Sequence, residues 1–227
     1  MKNRRKFLKK SALAVTGLTF INSLSAKSYR KIIGSNDRIR IAFQGLGRRI
    51  PGLLSNAVSQ KNIEVTHLCD VMDHQITKAS KRLFDLKGVK VKSEKNIHKI
   101  FDDKEVDAVI MATPDHWHAY GACKAMESGK HVYLEKPCSH NMRESELLVS
   151  YQKHFNKVVQ MGNQQRSSPH TIELINKIEN GALGKTYKAT AFYHSNRPRV
   201  PNQLLSPIPD GLDWNLFQGP ALRRDYT

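Results

Sequence analysis

Short apolar runs alternate with amphipathic stretches from Arg38 to about residue 160. Residues 39–43 form the first apolar run, and 48–59 follow with apolar positions at helical spacing; 63–69 and 73–86 repeat the pair. The alternation continues with a weak strand at 89–91, a short helix capped near Asn96, a strand at 108–112 and a helix at 116–127. A strand at 131–134, a helix at 143–154 and a sixth strand at 158–161 complete it. Strand and helix in strict alternation predict βαβ units, and so an α/β fold whose doubly wound parallel sheet carries helices on both faces. The unbroken apolar run Ala108-Val109-Ile110-Met111 suits a strand buried on both sides.

Beyond residue 160 the texture changes. A helix is expected at 169–180, with Gly181 and Gly184 as stops, then a strand-like segment at 186–194. Residues 197–212 hold Pro198, Pro201, Pro207 and Pro209 and no clear period, which reads as an extended loop. One strand and one loop do not close a sheet, so residues 161–227 read as the start of an incomplete α+β domain. An unpaired strand there is expected to recruit another chain.

The net charge of +17 raises the possibility of a nucleic-acid partner. About half of it lies in residues 1–37, which hold nine Lys/Arg against one Asp. The rest is scattered along helical segments without the arginine and aromatic interleaving of a nucleic-acid groove, so no nucleic-acid partner is expected. Residues 1–30 have the layout of an export signal: a basic start with Arg4 and Arg5, an apolar stretch at 11–24, then Ser25 and Ala26. The apolar stretch is too short and too polar for a membrane span. Cys69, Cys123 and Cys138 are far apart and in no metal-binding spacing, so neither a disulfide framework nor a zinc site is expected.

The candidate chemistry falls after the predicted strands, at the carboxyl edge of the sheet where open α/β folds bind ligands. Gln44-Gly45-Leu46-Gly47-Arg48 lies between the first strand and the first helix. Gly45 allows a tight turn, Gly47 a close approach of backbone to a pyrophosphate, and the helix start presents N–H groups to the anion. The third glycine of G-x-G-x-x-G is replaced by Ile50, with Gly52 two residues late, which puts helix-to-strand packing in question. Asp70 ends the second strand, where a carboxylate accepts from adenosine ribose hydroxyls and repels a 2′-phosphate, favouring NAD over NADP; its other reading is a helix cap.

Thr113-Pro114-Asp115-His116-Trp117-His118 follows the fourth strand. His116 and His118 are two residues apart on a helix start, which is not a metal pair. His118 either donates to a cofactor or substrate oxygen or is a satisfied structural histidine. Glu135-Lys136-Pro137 follows the fifth strand, where Lys136 would hydrogen-bond a substrate hydroxyl and move its proton, or simply pair with Glu135.

These motifs, with Gly162-Asn163-Gln164-Gln165-Arg166, resemble the Gfo/Idh/MocA oxidoreductases. The leader resembles a twin-arginine export signal, and Asp213-Trp214 to Gly219-Pro220 is similar to exported bacterial members. The resemblance implies a Rossmann domain over residues 38–160, a partial substrate or oligomerisation domain over 161–227, and NAD-dependent redox chemistry on a sugar or polyol. It places Gly45, Leu46, Gly47 and Arg48 at the phosphates and Asp70 at the ribose. Thr113, Asp115, His116, Trp117, His118, Glu135, Lys136 and Asn163 would surround the nicotinamide side, with Lys136 and His118 catalytic.

The resemblance also implies a homo-oligomer for a complete second domain, contact with export machinery through the leader, and a periplasmic location. The family's second-domain Asp-x-x-x-His-like pair has no counterpart before Thr227, and His170 and His194 do not fit it. Two further readings therefore stand beside the oxidoreductase: a truncated, non-catalytic nucleotide-binding relic, and an NAD-dependent glycosidase-like enzyme that cleaves sugars without net redox change.

Overall fold

The protein is described by a computed structural model covering residues 38–194, 196 and 204–227. The expected export signal lies outside the described residues. The chain divides into two compact units, Met1–Ile39 and Arg40–Thr227. Of the first, only residues 38 and 39 are described.

Six strands form a parallel sheet in the order β3-β2-β1-β4-β5-β6: β1 (Ile39–Gln44), β2 (Ile63–Cys69), β3 (Lys92–Glu94), β4 (Ala108–Met111), β5 (His131–Glu135) and β6 (Val159–Gly162). The helices between them are α1 (Ile50–Ser59), α2 (Asp73–Lys87), α3 (His98–Asp102), α4 (Asp115–Glu127) and α5 (Met142–Phe155). This is the doubly wound, Rossmann-type arrangement expected from the alternation. The sheet separates two apolar layers: Leu46, Ile50, Leu54, Leu68 and Leu83 on the α1/α2 side, and Ile100, Phe101, Met111, Trp117, Met126 and Leu134 on the other.

Local sequence sets the ends of these elements. Gly88 closes α2 at φ 66°, and Asn156 closes α5 at φ 50°, both in the left-handed region that glycine and asparagine tolerate. At the start of α5, Asn141 accepts from Glu144 N at 3.0 Å while Glu144 Oε2 accepts from His140 N at 2.7 Å, so two end donors are satisfied.

Two strand expectations need correction. The third strand is Lys92–Glu94 rather than residues 89–91, because the parallel register pairs His67 with Lys92 and Cys69 with Glu94. It is a short polar edge strand, and its apolar lead-in misled the periodicity. Residues 186–194 form no strand: this segment is irregular and exposed, with Tyr187 94% and Phe192 80% accessible, and no described strand lies alongside to take its backbone groups. Past β6 come a 3-10 turn at Gln164–Ser167, helix α6 (Pro169–Glu179) with no buried residue, and the short helix α7 (Trp214–Gln218).

Candidate functional site

The sheet order reverses between β1 and β4, which leaves a crevice at their carboxyl ends. β1 delivers Gln44 to that edge, and the chain turns over the end of β4 at Gly45. Gly45 has φ +80°, and a methyl group on it would stand 2.6 Å from Ala112 O and 2.8 Å from Thr113 N. Only glycine fits there. Gly47 faces open space, with nothing within 4 Å of a methyl group placed on it. The two glycines therefore do different work: Gly45 lets the loop pass β4, and Gly47 leaves room above the start of α1. No acidic residue occupies the first turn of α1, so the positive end of its dipole is uncompensated. Ile50, in the slot of the missing third glycine, is 2% exposed and packs with Leu46 and Leu54, an apolar substitute for close backbone packing.

Asp70 follows β2 and ties the loop down. Its Oδ2 accepts from Leu46 N at 2.6 Å and its Oδ1 from Met72 N at 2.9 Å. Burial raises its pKa above the ordinary carboxylate value, against the lowering effect of those two N–H donors. Each carboxylate oxygen accepts more than one hydrogen bond, so capacity for ribose hydroxyls remains.

Between the glycine loop, Asp70 and β4 lies a cavity of about 450 Å³, within the usual size of small-molecule clefts. Gly45, Gly47, Asp70, Ile97 and Thr113 contribute to its inner wall, and Leu212, Trp214, Phe217 and Tyr226 to its outer wall. Two buried polar atoms of lining residues, Gln44 Oε1 and Thr113 Oγ1, have no hydrogen-bond partner among the described residues. Buried orphans are uncommon, and here they suit a polar ligand better than an empty apolar void. A dinucleotide's adenosine half fits this donor set, with Asp70 for the ribose and the α1 start for the pyrophosphate.

The motif after β4 makes several contacts with neighbouring backbone. His118 is 1% exposed, with Nε2 2.9 Å from Thr113 O and Nδ1 2.5 Å from Pro137 O, so both ring nitrogens face backbone carbonyls. It lies between the turn after β4 and the turn after β5, and in its neutral form its one N–H donates to one of these two carbonyls. Trp117 Nε1 donates to Leu216 O and Phe217 O, both at 3.0 Å, and His116 Nε2 lies 2.8 Å from Phe217 O. These two side chains fasten α7, and Trp117 also lines the cavity. Asp115 is exposed in the first turn of α4.

After β5, Glu135 is 5% exposed and its Oε1 accepts from Arg49 Nε at 2.9 Å. The Gln164 carboxamide oxygen accepts from the same Arg49 Nε at 3.2 Å. Arg49 thus ties the start of α1 to the end of β5, and Glu135 pairs with it rather than with Lys136. Lys136, Arg48 and Asn163 are exposed at the same sheet edge, and Lys136 Nζ has no hydrogen-bond or ion-pair partner among the described residues. Sequence reasoning missed the role of Arg49 and the outer wall. The run Asp213 to Pro220 was visible, but nothing in it indicated which surface it covers.

A glycine turn over β4, a carboxylate at the end of β2 and a cavity at the reversal of strand order define the class: a Rossmann domain of the NAD(P)-binding oxidoreductases. The pattern of the Gfo/Idh/MocA family, oxidoreductases with an NAD-binding Rossmann fold, matches residues 39–163, and the chain belongs to that family. A glycosyl hydrolase family 109 protein of Shewanella pealeana is 25% identical over 209 residues, 84% of this chain and 46% of that protein. The chain thus spans about half the length of such curated relatives. A probable dehydrogenase from Thermotoga maritima has a similar structure, at TM-score 0.58 and 26% identity over 65% of this chain and 43% of that one. So does a scyllo-inositol dehydrogenase from Lactobacillus casei with bound NAD(H) and scyllo-inositol, at TM-score 0.59 and 22% identity over 65% and 42%; at that identity the likeness concerns the fold.

Proposed function

We propose that the chain binds NAD across the carboxyl edge of its sheet and forms the cofactor-binding half of an oxidoreductase acting on a sugar or polyol hydroxyl. The observation that carries this reading is the cavity joining the Gly45–Gly47 loop to Asp70. Bound NAD would supply hydride acceptance. Gly47 and the start of α1 would hold its pyrophosphate, Asp70 its ribose hydroxyls, and Thr113 and Asn163 polar groups farther along. Lys136, exposed and unpaired among the described residues, would take the substrate hydroxyl proton at Nζ.

The test is isothermal titration of NAD and NADP into the full chain, wild type and Asp70→Asn. Wild type is expected to bind NAD in preference to NADP, and the variant to lose most of that preference because the charge facing a 2′-phosphate is gone. A folded wild-type chain that binds neither would overturn the proposal. The leader, read as a twin-arginine signal, supports action outside the cytoplasm, and periplasmic recovery that is lost on changing Arg4 and Arg5 to Lys is the expected outcome. The similarity to glycosyl hydrolase family 109 proteins supports a second reading, glycoside cleavage assisted by bound NAD; sugar release without net NADH would distinguish it.

A further inference from the structure

The outer wall of the cavity comes from a segment about 100 residues or more from its inner wall, and it is attached at both ends. Asp213 N donates to Val71 O at 2.9 Å, Asp73 N donates to Gly211 O at 3.2 Å, and Met72 and Leu212 form an isolated antiparallel bridge. These bonds flank Asp70 directly. At the other end Trp117 holds Leu216 and Phe217, and Gly219 packs so tightly on the Trp117 ring that a methyl group there has no room. Between these anchors Trp214 stacks on Phe217, with ring centroids 5.1 Å apart and planes at 17°, and meets Tyr226 edge-on at 5.1 Å. These three rings line the cavity together with Gly45 and Gly47 of the glycine loop. None of Arg48, Asp115, Glu135, Lys136 or Asn163 lines it.

We propose that residues 211–226 are a cofactor-binding strap that encloses the adenine and its ribose, so that the adenosine half of the dinucleotide provides most of the affinity. The inference rests on the NAD reading above and adds the part of the ligand that is gripped and the residues that grip it. Apolar and aromatic side chains on the strap supply contact area for a flat base, and Asp70 between the anchors supplies the polar ribose contact. The nicotinamide end, by contrast, meets exposed Lys136 and Asn163 on an open edge.

The test titrates the full chain with NAD, ADP-ribose and nicotinamide mononucleotide. ADP-ribose is expected to bind within a few-fold of NAD and the mononucleotide about 100-fold more weakly or not at all. Trp214→Ala, which removes a wall ring, and Gly219→Ala, which pushes the strap off Trp117 from outside the cavity, should each weaken NAD and ADP-ribose about tenfold. Val149→Ala, at an exposed position on α5 and outside both strap and cavity, should leave both unchanged.

A measurement on wild type alone guards against variants that fail to fold: tryptic cleavage at exposed Arg223 and Arg224 should slow with ADP-ribose and not with the mononucleotide. NAD binding without ADP-ribose binding, or unchanged NAD affinity in folded Trp214→Ala and Gly219→Ala, would overturn the strap proposal and leave the NAD reading standing. No NAD binding to wild type would overturn both.

Discussion

Gly45 and Gly47 look equivalent as a motif, and substituting each by alanine separates what the fold needs from what the ligand needs. In Gly45→Ala the new methyl group meets three backbone atoms, Ala112 O, Ala112 C and Thr113 N, at 2.6, 2.7 and 2.8 Å, and none of them is the movable end of a side chain. The φ of +80° adds a backbone penalty of about 1–2 kcal/mol for a residue with a Cβ. Relieving the overlap by shifting β4 or the loop costs about 1–3 kcal/mol more, as overpacking does elsewhere.

The total of about 2–5 kcal/mol is a large share of the roughly 5–15 kcal/mol that holds a typical domain together. In a domain of this size it lowers Tm by about 4–20 °C, at about 2–4 °C per kcal/mol. Gly47→Ala meets nothing within 4 Å, and Gly47 is not among the glycines at positive φ, so its stability should stay within about 0.5 kcal/mol of wild type. Its methyl group would enter the open space proposed for the pyrophosphate, and NAD affinity should fall at least tenfold. Urea unfolding followed by circular dichroism, with titration of NAD into each folded variant, measures both quantities. Wild-type stability in Gly45→Ala, or a loss in Gly47→Ala as large as that expected for Gly45→Ala, would refute this division of labour.

Other consequences can be checked as directly. Lys136→Met should lower any dehydrogenase turnover by about 10²–10⁴-fold, the usual worth of a proton-transfer group, while NAD affinity by titration changes little. Because burial holds the Asp70 carboxyl above 3.8, the folded chain takes up this proton at higher pH than the unfolded chain does. Its contribution to stability is therefore complete below 3.8 and is lost as pH rises through the raised value. The ratio of NADP to NAD affinity should climb as pH falls through that value, and a ratio independent of pH down to the onset of unfolding would count against the charge argument. Burial pushes the Cys123 thiol up to about 11 and the Cys69 thiol higher still, so neither should react with a thiol reagent at pH 8 until the chain is unfolded.

The strands, the order of helices and the glycine loop could be read from periodicity because each depends on neighbours within a single βαβ unit. Asp70 was found for the same reason, since its place at the end of β2 follows from the strand itself. The errors have a different origin. Val89 and Val91 suggested a strand that the ladder with His67 and Cys69 placed three residues later, and Tyr187 to Tyr193 is apolar enough for a strand whose existence depends on a partner. His118 and Trp117 sit in the expected motif, but their partners, Pro137 O and the carbonyls of residues 216 and 217, are chosen by tertiary packing. Glu135 pairs with Arg49 rather than Lys136 for a comparable reason, since Arg49 arrives from the start of α1, 86 residues earlier in the chain.

The attachment of the strap to Val71–Asp73 and to Trp117 also bears on the order of events at the ribosome. Each unit of the sheet can form from residues already synthesised, whereas the bonds from Trp117 to Leu216 and from Asp73 to Gly211 close loops of about 100 and 140 residues. Contacts so distant in sequence carry a loop-closure cost and form after local ones. The cavity is thus the last part of the described chain to exist: a nascent chain that has emerged only as far as β6 holds the glycine loop and Asp70 but no outer wall. Tight nucleotide capture would then report that synthesis has passed residue 226, so cofactor loading would follow the closing of these two long loops rather than precede it.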